Sequence, residues 1–178
     1  MNHLKTFLFI LFALSIGSSY SQGVYEKTEV VKTDEGFQLL RNGQPYYVLG
    51  AGGDTHLKEL ADVGGNSIRT WATGNGLAVL DSAHKLGLTV CMGLWVNHER
   101  HGFDYSDEYA IKAQLKGFEN AILELKDHPA LLMWAVGNEV DLFYTNFKVW
   151  QAVEDIAAMI KRLDPNHPTI CPLYPSDA

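Results

Sequence analysis

The chain is poor in several things at once. Its 178 residues include two cysteines, six prolines and no basic run, and the formal net charge is -7. Without a basic stripe there is nothing to grip a phosphate backbone or an anionic bilayer, which excludes nucleic acid and suits a neutral or cationic ligand. Two cysteines do not make a disulfide framework. The apolar stretch at residues 7–16 is short of the roughly 20 residues that cross a bilayer. With Lys5 before it and the small residues Ser19 and Ser21 after it, the stretch reads as a secretory signal, cleaved before Gln22. A lipid anchor needs a cysteine just past the cleavage point, and the first is Cys91. The expectation is an exported protein, periplasmic or extracellular, with residues 1–21 as signal peptide and no membrane anchor.

What is present is ordinary globular material, 47% hydrophobic and 20% charged, long enough for one core. Residues 27–32 and 36–40 are β-prone, and Arg41-Asn42-Gly43-Gln44 signals a tight turn. Residues 22–45 are therefore expected to form a small β-hairpin ahead of the main domain, residues 46–178. From there one unit repeats. Strands are expected at residues 46–50, 66–71, 88–96, 130–139 and 168–174. Between them lie a helix capped by Thr55 or Asp54, a second at residues 77–86 and a third starting at Ser106. The third carries Ile111, Leu115, Phe118, Ile122 and Leu125 on one face; a fourth carries Trp150, Val153, Ala157 and Ile160. Gly64-Gly65, Gly87, Pro129 and Asp164-Pro165 stop the helices. The glycines at residues 52–53 lack the Lys-Ser/Thr pair of a phosphate loop and serve close packing.

Strands alternating with helices through short connections make a parallel sheet with right-handed crossovers. Five strands fit a doubly wound sheet, whereas a (β/α)8 barrel typically takes about 250 residues, so pattern and length leave both open. Cys91 and Cys171 fall on the third and fifth strands. Two strand spacings separate them by about 9–10 Å, beyond the roughly 7 Å a disulfide tolerates, so two buried free thiols are expected.

The chain is organised around the apolar run at residues 130–136, which breaks abruptly into Gly137-Asn138-Glu139. A buried strand that ends in an amide and a carboxylate delivers polar groups to an opening, and Gly137 clears space beside them. Alternation places Trp134, Val136 and Asn138 on one side of this strand and Ala135, Gly137 and Glu139 on the other. His128-Pro129 followed by Trp134, Gly137, Asn138 and Glu139 resembles the fourth-strand signature of clan A retaining glycoside hydrolases, most closely the TIM-barrel domain of glycoside hydrolase family 2. The resemblance implies a (β/α)8 TIM barrel, present as its N-terminal portion of about five strands and preceded by the short hairpin. It implies a glycosidase acting on a β-linked glucan or related polysaccharide, with no cofactor. Glu139 is then the general acid/base, and Asn138 binds the sugar 2-hydroxyl. In that family the nucleophile is a glutamate ending the seventh strand, so the chain is expected to stop before it.

Retaining hydrolysis uses two carboxyl groups about 5–5.5 Å apart, one to protonate the leaving group and one to attack the anomeric carbon. Asp54, Glu99, Asp104 and Asp141 lie near strand ends, but none occupies the family position of the nucleophile. Arg69 ends the second strand where the resemblance places an arginine that keeps the nucleophile ionised. Family 2 commonly continues with Ser-His there; this chain has Thr70-Trp71. Trp95 and His98 end the third strand and suit a sugar ring, one by stacking and the other by hydrogen bonding. Trp71 is a further substrate-binding candidate, although packing is the commoner fate of a lone tryptophan. Trp134 and Trp95 are expected to wall Glu139. A metal site at His98, Glu99 and His101 is disfavoured, because its spacing is one residue short of the helical zinc signature. A non-catalytic carbohydrate-binding protein is the alternative reading.

Overall fold

The computed structural model describes residues 26–174; the segment read as a signal peptide, residues 1–21, lies outside them. The chain opens with an antiparallel meander of β1 (Thr28–Thr33), β2 (Gly36–Arg41) and β3 (Gln44–Pro45). The expected hairpin thus carries a third short strand. Asn42 and Gly43 make the second turn at φ 51° and 73°, as an Asn-Gly turn does.

The second sheet is parallel throughout, in the order β4 (Gly50–Gly52), β5 (Ser67–Arg69), β6 (Thr89–Leu94), β7 (Leu131–Val136), β8 (Thr169–Ile170). Helices α1 (Leu57–Asp62), α2 (Gly76–Lys85), α3 (Glu108–Leu125) and α4 (Lys148–Leu163) connect the strands in turn. Strand order following chain order, with a helix in every crossover, is the winding of a (β/α)8 barrel. Here five strands form an open arc with β4 and β8 at its edges. No helix among the described residues is long and apolar enough to cross a membrane.

The core divides along the two faces of the sheet. Met92, Leu94, Trp134 and Val136 pack outward against Leu80, Ile122, Ile156 and Ile160 of the helices. Cys91, Leu132, Met133 and Ala135 face inward with Leu39 and Tyr46 of the meander segment. A register shift pairs Val90 with Leu131 but Cys91 with Met133, so Leu132 is the extra residue of a bulge. Beyond the bulge the expected alternation of Trp134, Val136 and Ala135 holds. The inner face lines an open concavity of about 360 Å³ near Ile68, Arg69, Cys91 and Met133.

The first core strand, expected at residues 46–50, is instead Gly50–Gly52, and all three residues are exposed. Tyr46 explains the shift. Its ring turns beneath the sheet, where the hydroxyl donates to the Asn66 carbonyl at 3.0 Å and lies 3.1 Å from Thr89 Oγ1. Arg41 donates to the Pro129 carbonyl at 2.6 Å and the Thr28 amide to the Asn166 carbonyl at 2.8 Å, so the meander floors the amino ends of the strands. Neither Thr55 nor Asp54 caps α1: His56 occupies the cap in a left-handed conformation with no side-chain hydrogen bond. The cap of α3 is Asp107, one residue past the expected Ser106, and its carboxylate accepts from the amides of Tyr109 and Ala110. Both cysteines are free; Cys91 is buried, which pushes its thiol up to about 11, and Cys171 is half-buried.

Candidate active site

Arg69, Trp71, Trp95, His98, Asn138 and Glu139 sit at or just beyond the carboxyl ends of β5, β6 and β7, the end at which barrels of this winding build their sites. Two close approaches shape that end. Gly93 lies so near β5 that a Cβ would stand 2.4 Å from the Thr70 carbonyl oxygen. Gly137, at φ 75°, turns the chain out of β7, and a Cβ there would stand 2.7 Å from Val140 Cγ1. The Gly137 amide still bonds the Leu94 carbonyl at 2.9 Å, so β7 stays tied to β6 up to the residue before Asn138.

Asn138 and Arg69, 69 positions apart in the chain, meet across the sheet. Arg69 Nη2 donates to Asn138 Oδ1 at 2.8 Å. Guanidinium has no acceptor, so this contact fixes which way the amide faces. The two N–H bonds of the Asn138 amide are left without a protein partner among the described residues. The guanidinium also lies 5.6 Å over the Trp71 ring, a cation–π contact, and its Nε is buried with no acceptor among the described residues. Trp71 is not core: it is 41% exposed and rests against Gly52.

Glu139 is half-buried at φ 51°, a left-handed conformation that a non-glycine residue seldom takes. Its amide bonds the Pro172 carbonyl at 2.8 Å, just past β8. Trp134 does not wall it. That ring is fully buried on the helix side, where Nε1 donates to Asp164 Oδ2 at 2.7 Å, because alternation sends residue 134 to the face opposite residue 139.

Trp95, His98 and His101 form a cluster of near-parallel rings, with His98 5.0 Å from Trp95 and 5.1 Å from His101. Trp95 is half-buried and His98 only 4% exposed. Burial first, then the charges of Arg100 and His101, hold the His98 imidazole below its ordinary pKa, outweighing the opposite pull of the Asn138 backbone and Glu139. Both His98 nitrogens are buried, and neither meets a hydrogen-bond partner among the described residues.

Near-parallel imidazoles direct their lone pairs in parallel planes rather than toward one point, and both oxygens of Glu99 are engaged elsewhere. Glu99 accepts from the amides of Thr145 and Asn146 at 2.7 and 2.9 Å and from Thr145 Oγ1 at 3.1 Å. The His98, Glu99, His101 set is therefore unsuited to a metal, and among the described residues no group of three or more such side chains converges. Sequence reasoning passes over Arg100, whose guanidinium reaches the carbonyls of Glu139 and Leu142. Gln114 is passed over too; it looks like a helix-surface residue but is buried, accepting from the Asn97 amide at 2.8 Å.

The family model described as glycosyl hydrolases family 2, TIM barrel domain, matches residues 65–172, a span that holds Arg69, Asn138 and Glu139. The chain belongs to this family. Its fold resembles a β-D-glucuronidase of Dictyoglomus thermophilum at TM-score 0.63 and 22% identity, over 82% of this chain and 28% of that one. A β-glucuronidase of Parabacteroides merdae matches at TM-score 0.61 and 20% identity, over 81% of this chain and 20% of that one. A family 2 member from Bacteroides cellulosilyticus matches at TM-score 0.61 and 22% identity, over 84% and 21%. These are likenesses of fold. This family 2 chain spans between a fifth and three-tenths of the length of those proteins.

Proposed function

We propose that this family 2 chain supplies the acid/base half of a retaining β-glycosidase active site. The observation that carries the reading is the Asn138-Glu139 pair at the carboxyl end of β7, inside the span matched by the family model and bonded to Arg69. Glu139 protonates the glycosidic oxygen as the aglycone departs and later takes the proton of the incoming water. The second carboxylate, which attacks the anomeric carbon, is none of the residues discussed above. Asn138, its oxygen occupied by Arg69, turns its N–H bonds to the sugar 2-hydroxyl. Trp71 and Trp95 offer ring faces to the sugar, and His98 supports Trp95 from below.

The substrate we propose is a β-linked glucan or related polysaccharide, an uncharged ligand compatible with the acidic balance of the chain. A β-glucuronide is the second reading, prompted by the names of the structural neighbours. Residues 1–21 would export the protein.

The test is Glu139→Gln in the full-length gene product, assayed on methyl and 2,4-dinitrophenyl β-glycosides of glucose and glucuronic acid. In kcat/KM, which reports formation of the glycosyl-enzyme, loss of the acid should cost about 10²–10⁴-fold on the methyl glycoside and far less on the activated one. Equal loss on both would remove Glu139 from the acid role. Sugar binding without hydrolysis in the unaltered protein would favour a carbohydrate-binding function instead.

A further inference from the structure

The run His98-Glu99-Arg100-His101, which imitates a metal motif, has another use. It forms a 3-10 turn, Glu99–His101, in the loop after β6, and its two central side chains both reach the loop after β7. Arg100 Nη1 donates to the carbonyls of Glu139 at 3.2 Å and Leu142 at 3.1 Å. Glu99 accepts the three bonds from Thr145 and Asn146 described above. One turn of chain thus grips residues 139–146 at both ends.

That loop has reason to be gripped. Glu139 and Phe143 both stand in the left-handed region, at φ 51° and 57°, where an L side chain crowds its own backbone. Within the loop the Leu142 amide bonds the Glu139 carbonyl at 3.1 Å, closing a single turn. Phe143 is 76% exposed, so packing does not hold it in that conformation. The carbonyl that Arg100 holds belongs to Glu139 itself, and rotation of that peptide would re-aim the carboxylate. The amide of Asn146 foremost, then that of Thr145, keep the Glu99 carboxyl below the usual range, so the acceptor end of the grip is ionised at neutral pH.

We propose that Arg100, seconded by Glu99, is the positioning residue of the acid/base: it fixes the Glu139 peptide so that the carboxyl group meets the glycosidic oxygen. This rests on the reading of Glu139 given above. Arg100 touches no reacting atom. Its contribution is geometric, and misplacement of a catalytic group by about 1 Å costs on the order of 100-fold.

The test uses the full-length gene product and compares wild type, Glu139→Gln, Arg100→Ala and Arg100→Lys on glycosides with leaving groups from 2,4-dinitrophenol to methanol. In kcat/KM, which reports formation of the glycosyl-enzyme, Arg100→Ala should lose about 100-fold on the methyl glycoside and stay within about threefold on the dinitrophenyl one, because only the former needs the proton in that step; hydrolysis of the glycosyl-enzyme, common to both, slows alike. Arg100→Lys, which keeps the charge and one donor, should recover part of the loss. Uniform loss on every leaving group, or no loss, would overturn the proposal while the Glu139→Gln pattern left the acid role standing. A KM rise confined to the glucuronides would also overturn it, since Arg100 would then contact the sugar carboxylate directly. If Glu139→Gln itself shows no dependence on leaving group, both readings fall together. Arg100→Lys keeps the test decisive if the alanine variant does not fold.

Discussion

The two ends of the parallel strands handle the same backbone problem differently. At the amino ends, where helices turn back into strands, the left-handed positions are glycines: Gly64 at φ 90° after α1 and Gly87 at φ 71° after α2. At the carboxyl ends, where strands turn out into loops, the same region also holds His56, Glu139 and Phe143. A side chain in that conformation costs about 1–2 kcal/mol that glycine does not incur. The amino end takes the relaxed choice and the carboxyl end keeps side chains at some cost. Strain at one end of a barrel, on a carboxylate, is what a site needing a fixed carboxylate leads one to expect.

On this division, stability resides at the amino side. There Asp164, buried at the end of α4, accepts from Trp134 Nε1 and from the Asn166 amide, and His167 Nδ1 lies 2.8 Å from it. Asp164→Ala leaves buried donors unpaired and is expected to destabilise the protein by about 3 kcal/mol, with the preference among leaving groups unchanged. Thermal unfolding and the glycoside series measure the two sides separately. Should the leaving-group preference shift with Asp164→Ala, the division between the ends would be lost.

A smaller, paired test addresses the glycines directly. Nothing lies within 4 Å of a Cβ built at Gly87, so Gly87→Ala isolates the conformational term and should cost about 1–2 kcal/mol. Glu139→Gly reverses the substitution at the other end and should raise stability by about 0.5 kcal/mol while removing activity, the remainder being offset by the freer unfolded chain. A destabilised Glu139→Gly would mean that the carboxylate contributes to folding, and the strain would need another explanation.

Much of the fold is legible in the sequence, because strand and helix periods differ and glycine and proline mark the joints. Asn138-Glu139 stands out because an apolar run ending in an amide and a carboxylate is a local signal. The bond between Asn138 and Arg69 is not local, nor is that between Glu99 and Thr145, 46 positions apart. No period in the sequence reports such pairs; only the sheet order brings the loops together. Tyr46-Tyr47 misleads for a related reason. An aromatic β-prone run reads as a strand whether its rings face the core or, as Tyr46 does, pass beneath the sheet to close its floor.

The smallest effect is expected at His98, and it concerns pH. Its imidazole faces Arg100 and His101, which oppose its protonation, and Glu139 with the Asn138 backbone, which favour it; burial tips the balance to the neutral form. The unfolded chain, by contrast, takes up a proton near the ordinary histidine value of about 6.5. Below that pH the unfolded state binds more protons than the folded one, so this contribution to stability is complete above about pH 7.5 and declines as pH falls through 6.5 toward the lower folded value. His98→Phe keeps a flat ring beside Trp95 and His101 and removes the titration. Between pH 7.5 and 5.5 the melting temperature of the wild type should therefore fall more steeply than that of His98→Phe. Equal slopes would mean that protonated His98 is compensated in the folded state, with Glu139 the acidic side chain that favours its charge, and the stacked rings would then belong to the site's proton chemistry rather than to its scaffold.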